Sequence, residues 1–366
     1  MFYASYFAGM GLILPFFPVY LAGLGWADGM VGLFVGLLAF TKVLSPPLAG
    51  YLLDASRRGH AYITAFILAS AVAIIMLPLA THALLLALLV FIFGLLWSAA
   101  LPLTDGISLV AAEASLVDYG RLRVWGSIGF IVSSLAGGAW LAGAISIFPF
   151  ALAALLALSA FAAAGFPVQA AVKPTDGTRQ TFSPHFRRLL VTSFAMQASH
   201  GAYYGFFSLY LFAAGYNGWQ IGLLWSLGVL AEIALMWRCS RPIQQAFPAY
   251  VLSICLLLAA LRWLGTGWSE SWLMLVCMQL LHAASFAAFH VSAVTWVKKL
   301  VPGHRQASAQ GWYSASGFGL GTTLGVIACG WLADQVSYQS AFYVCAGIAL
   351  FGLLASVRLP ASAQMR

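Results

Sequence analysis

Charge is what this chain has least of. Asp, Glu, Lys and Arg together make up 7% of its 366 residues, and only 9 residues are acidic. A water-soluble fold of this length has no use for so little charge, so the solvent for most of the surface must be lipid. Catalytic signatures are missing as well. HExxH, GxSxG and CxxC patterns are absent, which leaves a membrane enzyme without its paired groups. P-loop spacing is absent too, which argues against direct use of ATP. The five cysteines (Cys239, Cys255, Cys277, Cys329 and Cys345) lie in or at the ends of apolar runs without metal-ligand spacing, and read as small buried hydrophobes. No cofactor and no metal is expected. The net charge of +8 does not mark a nucleic-acid binder, because the basic residues sit in short loops between apolar runs. The first run begins at Phe2 with no basic segment before it and no small-residue cleavage site after it, the pattern of a first membrane helix.

What is present is apolar length: 62% of the residues are hydrophobic. Spans of roughly 20 apolar residues fit at about 2–24, 30–53, 61–80, 84–109, 124–144 and 146–166. They resume at about 189–212, 219–238, 247–264, 272–297, 308–332 and 339–358. The expectation is an all-α membrane protein of twelve transmembrane helices in two six-helix halves. Residues 1–168 form the first half, 169–188 a polar linker and 189–366 the second half. Arg57, Arg58, Arg121, Arg123, Arg187, Arg188, Arg238, Arg241, Lys298, Lys299 and Arg305 all fall on one side of that layout, whereas the opposite loops hold Asp28, His82 and Glu270. Such asymmetry places both termini in the cytoplasm of a bacterial-type inner membrane. The halves repeat one another. At an offset of 190, Phe16-Phe17 meets Phe206-Phe207, Tyr20 meets Tyr210, Gly25 meets Gly215 and Gly32 meets Gly222; at 188, Gly129 meets Gly317 and Gly137 meets Gly325.

Ionisable residues inside apolar spans cost about 2.5–3.5 kcal/mol each on insertion scales and mark cavities or partners. Lys42 lies about 18 Å into the second span at 1.5 Å per residue, and the 190-residue offset maps it onto Glu232 of the eighth. Both are expected to line a transport path, the alternative being a fixed ion pair. Asp105 stands one to two turns from the end of the fourth span and Arg262 near the outer end of the ninth. Each has snorkelling as its competing reading, and for Arg262 the other is a pair with Glu232. On the seventh span Gln197, His200, Tyr204 and Ser208 form a polar stripe that must face protein or water. Gln279, His282 and Ser285 form another on the tenth, with His290 two turns further on. Imidazole beside a buried carboxylate is a natural proton relay, because it titrates near ambient pH.

Two stretches carry a resemblance. Gly50-Tyr-Leu-Leu-Asp54-Ala-Ser-Arg57-Arg58-Gly59 resembles, in shortened form, the G-x-x-x-D-x-x-x-R signature of the major facilitator superfamily. Asp118-Tyr-Gly-Arg121-Leu-Arg123-Val-Trp125-Gly-Ser-Ile-Gly129-Phe130, with Pro102-Leu-Thr-Asp105 before it, resembles the lactose permease group, and within it the phenylpropionate permease and nucleoside–proton symporter branch. The resemblance implies gating roles for Gly50, Asp54 and Arg58. It implies substrate binding by Asp105 and Arg123, and a part in substrate binding and proton coupling for Glu232 and Arg262; from their places in the spans, Lys42, Gln197, His200 and Tyr204 are added as substrate contacts and His282 and His290 as coupling candidates. The group's carboxylate three residues from the histidine on helix ten is missing here. The function implied is proton-coupled import of a small organic solute, an aromatic acid being favoured because a buried cation suits an anion. The partners are then a small-molecule substrate, protons and the lipid bilayer, with no nucleic acid and a monomeric protein. A drug or nucleoside transporter of the same fold is the alternative, and a non-transporting sensor or a membrane enzyme that of another class.

Overall fold

The computed structural model describes residues 1–55, 59–115, 119–141, 143–166, 183–301, 305–357 and 359. Arg58 and the side chains of residues 48–55 lie outside the described residues, and with them the gating motif read from Gly50, Asp54 and Arg58. The chain is helical throughout the described residues. The first six helices are α1 (Phe2–Gly23), α2 (Asp28–Ala55), α3 (Gly59–Ile75), α4 (Ala83–Ser115), α5 (Tyr119–Leu141) and α6 (Phe148–Ala164). Next come α7 (Pro184–Ala198), α8 (Gly201–Ala213), α9 (Gly218–Gln245) and α10 (Pro248–Trp268). They are followed by α11 (Trp272–Leu280), α12 (Phe289–Leu300), α13 (Gln306–Ser314), α14 (Thr322–Gln335) and α15 (Tyr338–Ser356).

Eleven spans among the described residues are long and apolar enough to cross a membrane. The seventh of the twelve expected spans is not among them, because it is divided: α7 stops at Ala198 and α8 restarts at Gly201, with Ser199 and His200 between. Two other spans are helical but irregular. Wider π turns occupy Ala283–Ala288, between α11 and α12, and Ala315–Gly321, between α13 and α14. Such turns gather at functional positions, because the extra residue re-aims the side chains around it.

The sequence repeat is visible in the backbone. Gly25 and Gly215 both adopt φ +87°, the left-handed conformation that only glycine enters without strain. Each closes its helix in the same way: Trp26 N–H reaches Leu21 O and Gly25 N–H reaches Ala22 O, while Tyr216 N–H reaches Leu211 O and Gly215 N–H reaches Phe212 O. This is the Schellman closure, made twice at positions that the sequence offset equates.

Two compact units result. One comprises Met1–Trp26, Leu37–Thr175 and Asn217–Gly222; the other comprises Ala27–Gly36, Asp176–Tyr216 and Leu223–Arg366. In the first, α1 lies along α5 and α6. A side chain at Gly129 would strike the Ala4 carbonyl and one at Gly11 the Phe130 backbone, so these glycines permit the approach. Ser133 Oγ donates to Ala8 O across it at 2.6 Å. In the second unit α7 and α8 meet the π turn Ala315–Gly321 and α14 similarly, with Gly201 on the Gly325 backbone and Gly325 on Ala198.

Helix α4 continues ten residues, about 15 Å, past Asp105 to Ser115, although its apolar span ends at Asp105, so the acid stands at the span's end as expected. Two sequence expectations need correction. Arg262 is 1% exposed and therefore does not snorkel. Cys239 and Cys277 are exposed, on faces that protein does not cover, while Cys255, Cys329 and Cys345 are buried as expected.

Candidate functional site

Each unit carries its own polar cluster. In the first, Asp105 of α4 and Arg123 of α5 form an ion pair, Nη1 to Oδ1 at 3.3 Å, with side chains 28% and 36% exposed. Tyr3 of α1 donates its hydroxyl to the same Oδ1 at 2.7 Å. The Arg123 guanidinium also lies over the Phe7 ring at 4.9 Å and the Tyr3 ring at 5.5 Å. One carboxylate is thus oriented from two helices, while a good part of both charged groups stays uncovered. Sequence reading found the acid and the base but missed Tyr3 and Phe7. Their i, i+4 spacing on α1 was a usable signal, hidden by the abundance of aromatics there. Lys42 of α2 belongs to this unit too. It is half-buried and has no ion pair among the described residues.

The second unit's cluster is enclosed. Glu232 of α9 meets His282, just before the π turn Ala283–Ala288, with Oε1 2.7 Å from Nε2; their side chains are 17% and 6% exposed. The other ring nitrogen, Nδ1, receives Arg262 Nη1 from α10 at 2.8 Å. Arg262 Nη1 also donates to Ser285 Oγ at 3.2 Å, and Nη2 donates to Gln279 Oε1 at 2.9 Å. The stripe Gln279, His282 and Ser285 is therefore held together by one guanidinium. Arg262 and Glu232 are not directly paired; an imidazole joins them. Tyr203 and Trp263 cover the guanidinium, with ring centroids 4.4 and 4.3 Å from Cζ. A buried cation is tolerable only with acceptors and ring faces gathered around it in this way.

The network assigns the histidine tautomer. Arginine can only donate, so Nδ1 must accept, and a neutral His282 carries its proton on Nε2, aimed at the Glu232 carboxylate. A protonated Glu232 presenting its own O–H to Nε2 would face a second N–H, so a proton taken up in this arrangement belongs on Oε2, with Oε1 still accepting from Nε2.

His200 borders this cluster. Its ring stacks on Tyr204 at 5.6 Å, meets Trp263 edge-on at 4.9 Å and lies 6.1 Å from the His282 ring. Its Nδ1 bonds Met196 O at 2.8 Å, whereas Nε2 is buried without a hydrogen-bond partner among the described residues, as is Gln197 Oε1. Unpaired buried polar atoms are uncommon and suit a ligand or water. His290 stands apart, bonding Tyr313 OH through Nδ1 at 3.0 Å, and the Phe318 ring lies 5.8 Å away. Phe318 in turn meets Phe286 at 6.0 Å, so the two π turns touch through one aromatic pair. Tyr203 and Trp263 were missed from sequence because the stripe on the seventh span selects Tyr204, its neighbour.

The sequence model of the MFS_1 like family matches residues 1–344. The probable 3-phenylpropionic acid transporter of Escherichia coli (strain K12) is 28% identical over 373 residues, covering 98% of this chain and 94% of that protein. The maltose permease of Geobacillus stearothermophilus is also 28% identical, over 92% of this chain and 87% of its own length. Among solved structures, a mutant of the nucleoside transporter NupG superposes with a TM-score of 0.87 at 19% identity, covering 98% of both chains. That last likeness shows a shared fold.

Proposed function

Since this chain belongs to the MFS_1 like family, we propose that it imports a small organic acid together with a proton, by alternating access of its two six-helix halves. That it is a multi-pass membrane transporter of organic solutes, and not an enzyme, follows from its relatives and its helices. The proton coupling, the direction and the substrate are our reading. The observation that carries it is the chain Arg262–His282–Glu232, in which a single imidazole links an enclosed carboxylate to a buried arginine. Desolvation favours a neutral carboxyl and a nearby cation favours the charged one. Glu232 would then alternate between the two as Arg262 is held or released.

An aromatic acid suits the groups available. Arg262 uses three of its five N–H donors on protein acceptors, and its faces are lined by rings that also suit an aromatic substrate. His200 Nε2 and Gln197 Oε1 have capacity to spare. Lys42, Asp105 and Arg123 would supply the contacts of the first unit. The relative named for 3-phenylpropionic acid supports this choice of substrate class. We place the basic helix ends and both termini in the cytoplasm, because Lys and Arg collect there, and take the transporter to be a monomer of the inner membrane.

The test is a proteoliposome assay that records the pH of a weakly buffered outer medium while 3-phenylpropionate, maltose or a nucleoside is added. Alkalinisation with the aromatic acid, abolished by a protonophore, is the expected result. Glu232→Gln keeps an oxygen to accept from His282 Nε2 and removes the charge. It should retain exchange of labelled substrate while losing at least 90% of proton flux, by order of magnitude for a lost proton-transfer group. Unchanged coupled uptake in this variant would remove Glu232 from the mechanism.

A further inference from the structure

Outside the two clusters, the second unit holds a cavity of about 360 Å³ at the basic ends of α9 and α12. Its polar lining is Gln244 from α9 with His290, Thr295, Lys298 and Lys299 from α12. On α12 the lining residues fall into two adjacent stripes four residues apart, His290–Val294–Lys298 and Val291–Thr295–Lys299, so one helix face presents valine along its length and ammonium groups at its end. Neither lysine has an ion pair among the described residues. Of the described carboxylates of this unit, Asp28, Glu270 and Asp334 belong to the opposite ends of the helices and Glu232 is engaged by His282. The helix end itself is fixed, because Gln306 Nε2 donates to Lys298 O at 3.1 Å.

A general excess of base on one side accounts for lysines at a membrane surface, but not for a concave site with an amide and an imidazole in its wall. The surroundings point to lipid. Trp237, two turns before Gln244 on the same face of α9, is 80% exposed and carries Arg238 over its ring at 5.3 Å. Arg241, one turn before Gln244, adds a second basic group to that part of α9. Exposed tryptophan with arginine is the composition of a headgroup-level anchor, and basic pockets between helices suit acidic headgroups.

We propose that this cavity binds the phosphate of an acidic phospholipid, with Lys298 and Lys299 as the charged contacts and the valine stripe along the glycerol and acyl stem. Native mass spectrometry of the full chain in neutral detergent, with phosphatidylglycerol or phosphatidylcholine at equal concentration, reads the occupancy directly. Phosphatidylglycerol should be retained at least fivefold over phosphatidylcholine. The double variant Lys298→Gln/Lys299→Gln should lose that preference, and Lys298→Arg/Lys299→Arg should keep it. Monodisperse elution and unchanged substrate exchange by the glutamine variant show that it is folded. Equal retention of the two lipids, or a preference that survives the glutamine variant, would overturn the proposal. So would displacement of the lipid by soluble glycerol 3-phosphate at similar concentration, which would make the site one for a free phosphate ester.

Discussion

The Asp105–Arg123 pair and the Glu232–His282–Arg262 chain hold the same kinds of charge and differ in how they are covered. The first leaves about a third of each side chain uncovered and spans 3.3 Å; the second is nearly enclosed, with its two strongest contacts at 2.7 and 2.8 Å. An exposed pair contributes about 0–1 kcal/mol to stability and can exchange partners at little cost. In an enclosed network, losing one member leaves the others buried and unpaired, which costs several times more. The first arrangement suits a group that must meet an incoming solute. The second suits a group whose charge state must be registered by its neighbours.

The sharpest way to break this contrast is Arg262→Met, which fills similar volume with no donor. His282 Nδ1, Gln279 Oε1 and Ser285 Oγ would all lose the arginine donor at once. The expected cost is about 3–5 kcal/mol, read as a large fall in the melting midpoint of the detergent-solubilised protein together with loss of coupled uptake. Arg262→Lys should keep more of the stability but little of the uptake, because one ammonium cannot reproduce a planar fork that serves three acceptors. Near-normal melting of the methionine variant would mean that the second cluster is no more demanding than the first.

Asp105→Asn probes the other side. Asparagine can still accept from Tyr3 and Arg123, so the melting midpoint should move by no more than about 1 kcal/mol equivalent. Uptake of an organic acid should nevertheless fall about a hundredfold, as roughly 2.7 kcal/mol of binding is lost, because Arg123 would no longer be held in place by charge. A variant that melts early but transports normally would reverse the roles assigned to the two clusters.

Much of this was legible in the sequence, and the gaps have physical reasons. Twelve spans, the repeat and the polar stripe Gln279–His282–Ser285 follow from periodicity and composition, since each is local. That Arg262 takes all three residues of the stripe is not local; nothing in the spacing of α10 says which helix its guanidinium will meet. The break at Ser199–His200 was missed because no proline precedes it, and the π turns because one inserted residue shifts a helical register without changing its composition. Asp105 stands at the end of its apolar span as read, but α4 outlasts that span and continues through polar residues to Ser115, which hydropathy does not reveal.

The smallest expected effect is the most discriminating for the first cluster. Tyr3→Phe removes one hydroxyl and keeps the ring over which Arg123 lies. The hydrogen bond it deletes ends on a charged oxygen, so its loss is worth about 1.5 kcal/mol, or roughly tenfold in apparent substrate affinity, if Asp105 must be oriented to work. Because the site is partly open, water can replace the hydroxyl and the melting midpoint should stay within error. Affinity and stability would then separate cleanly in one variant. If instead both are unchanged, Tyr3 merely occupies a lone pair that Arg123 leaves free, and orientation of the carboxylate rests on the salt bridge alone. Combining Tyr3→Phe with Asp105→Asn decides between these. Orientation through the carboxylate predicts that the double variant is no worse than Asp105→Asn by itself, whereas independent contacts to substrate predict that the two losses multiply.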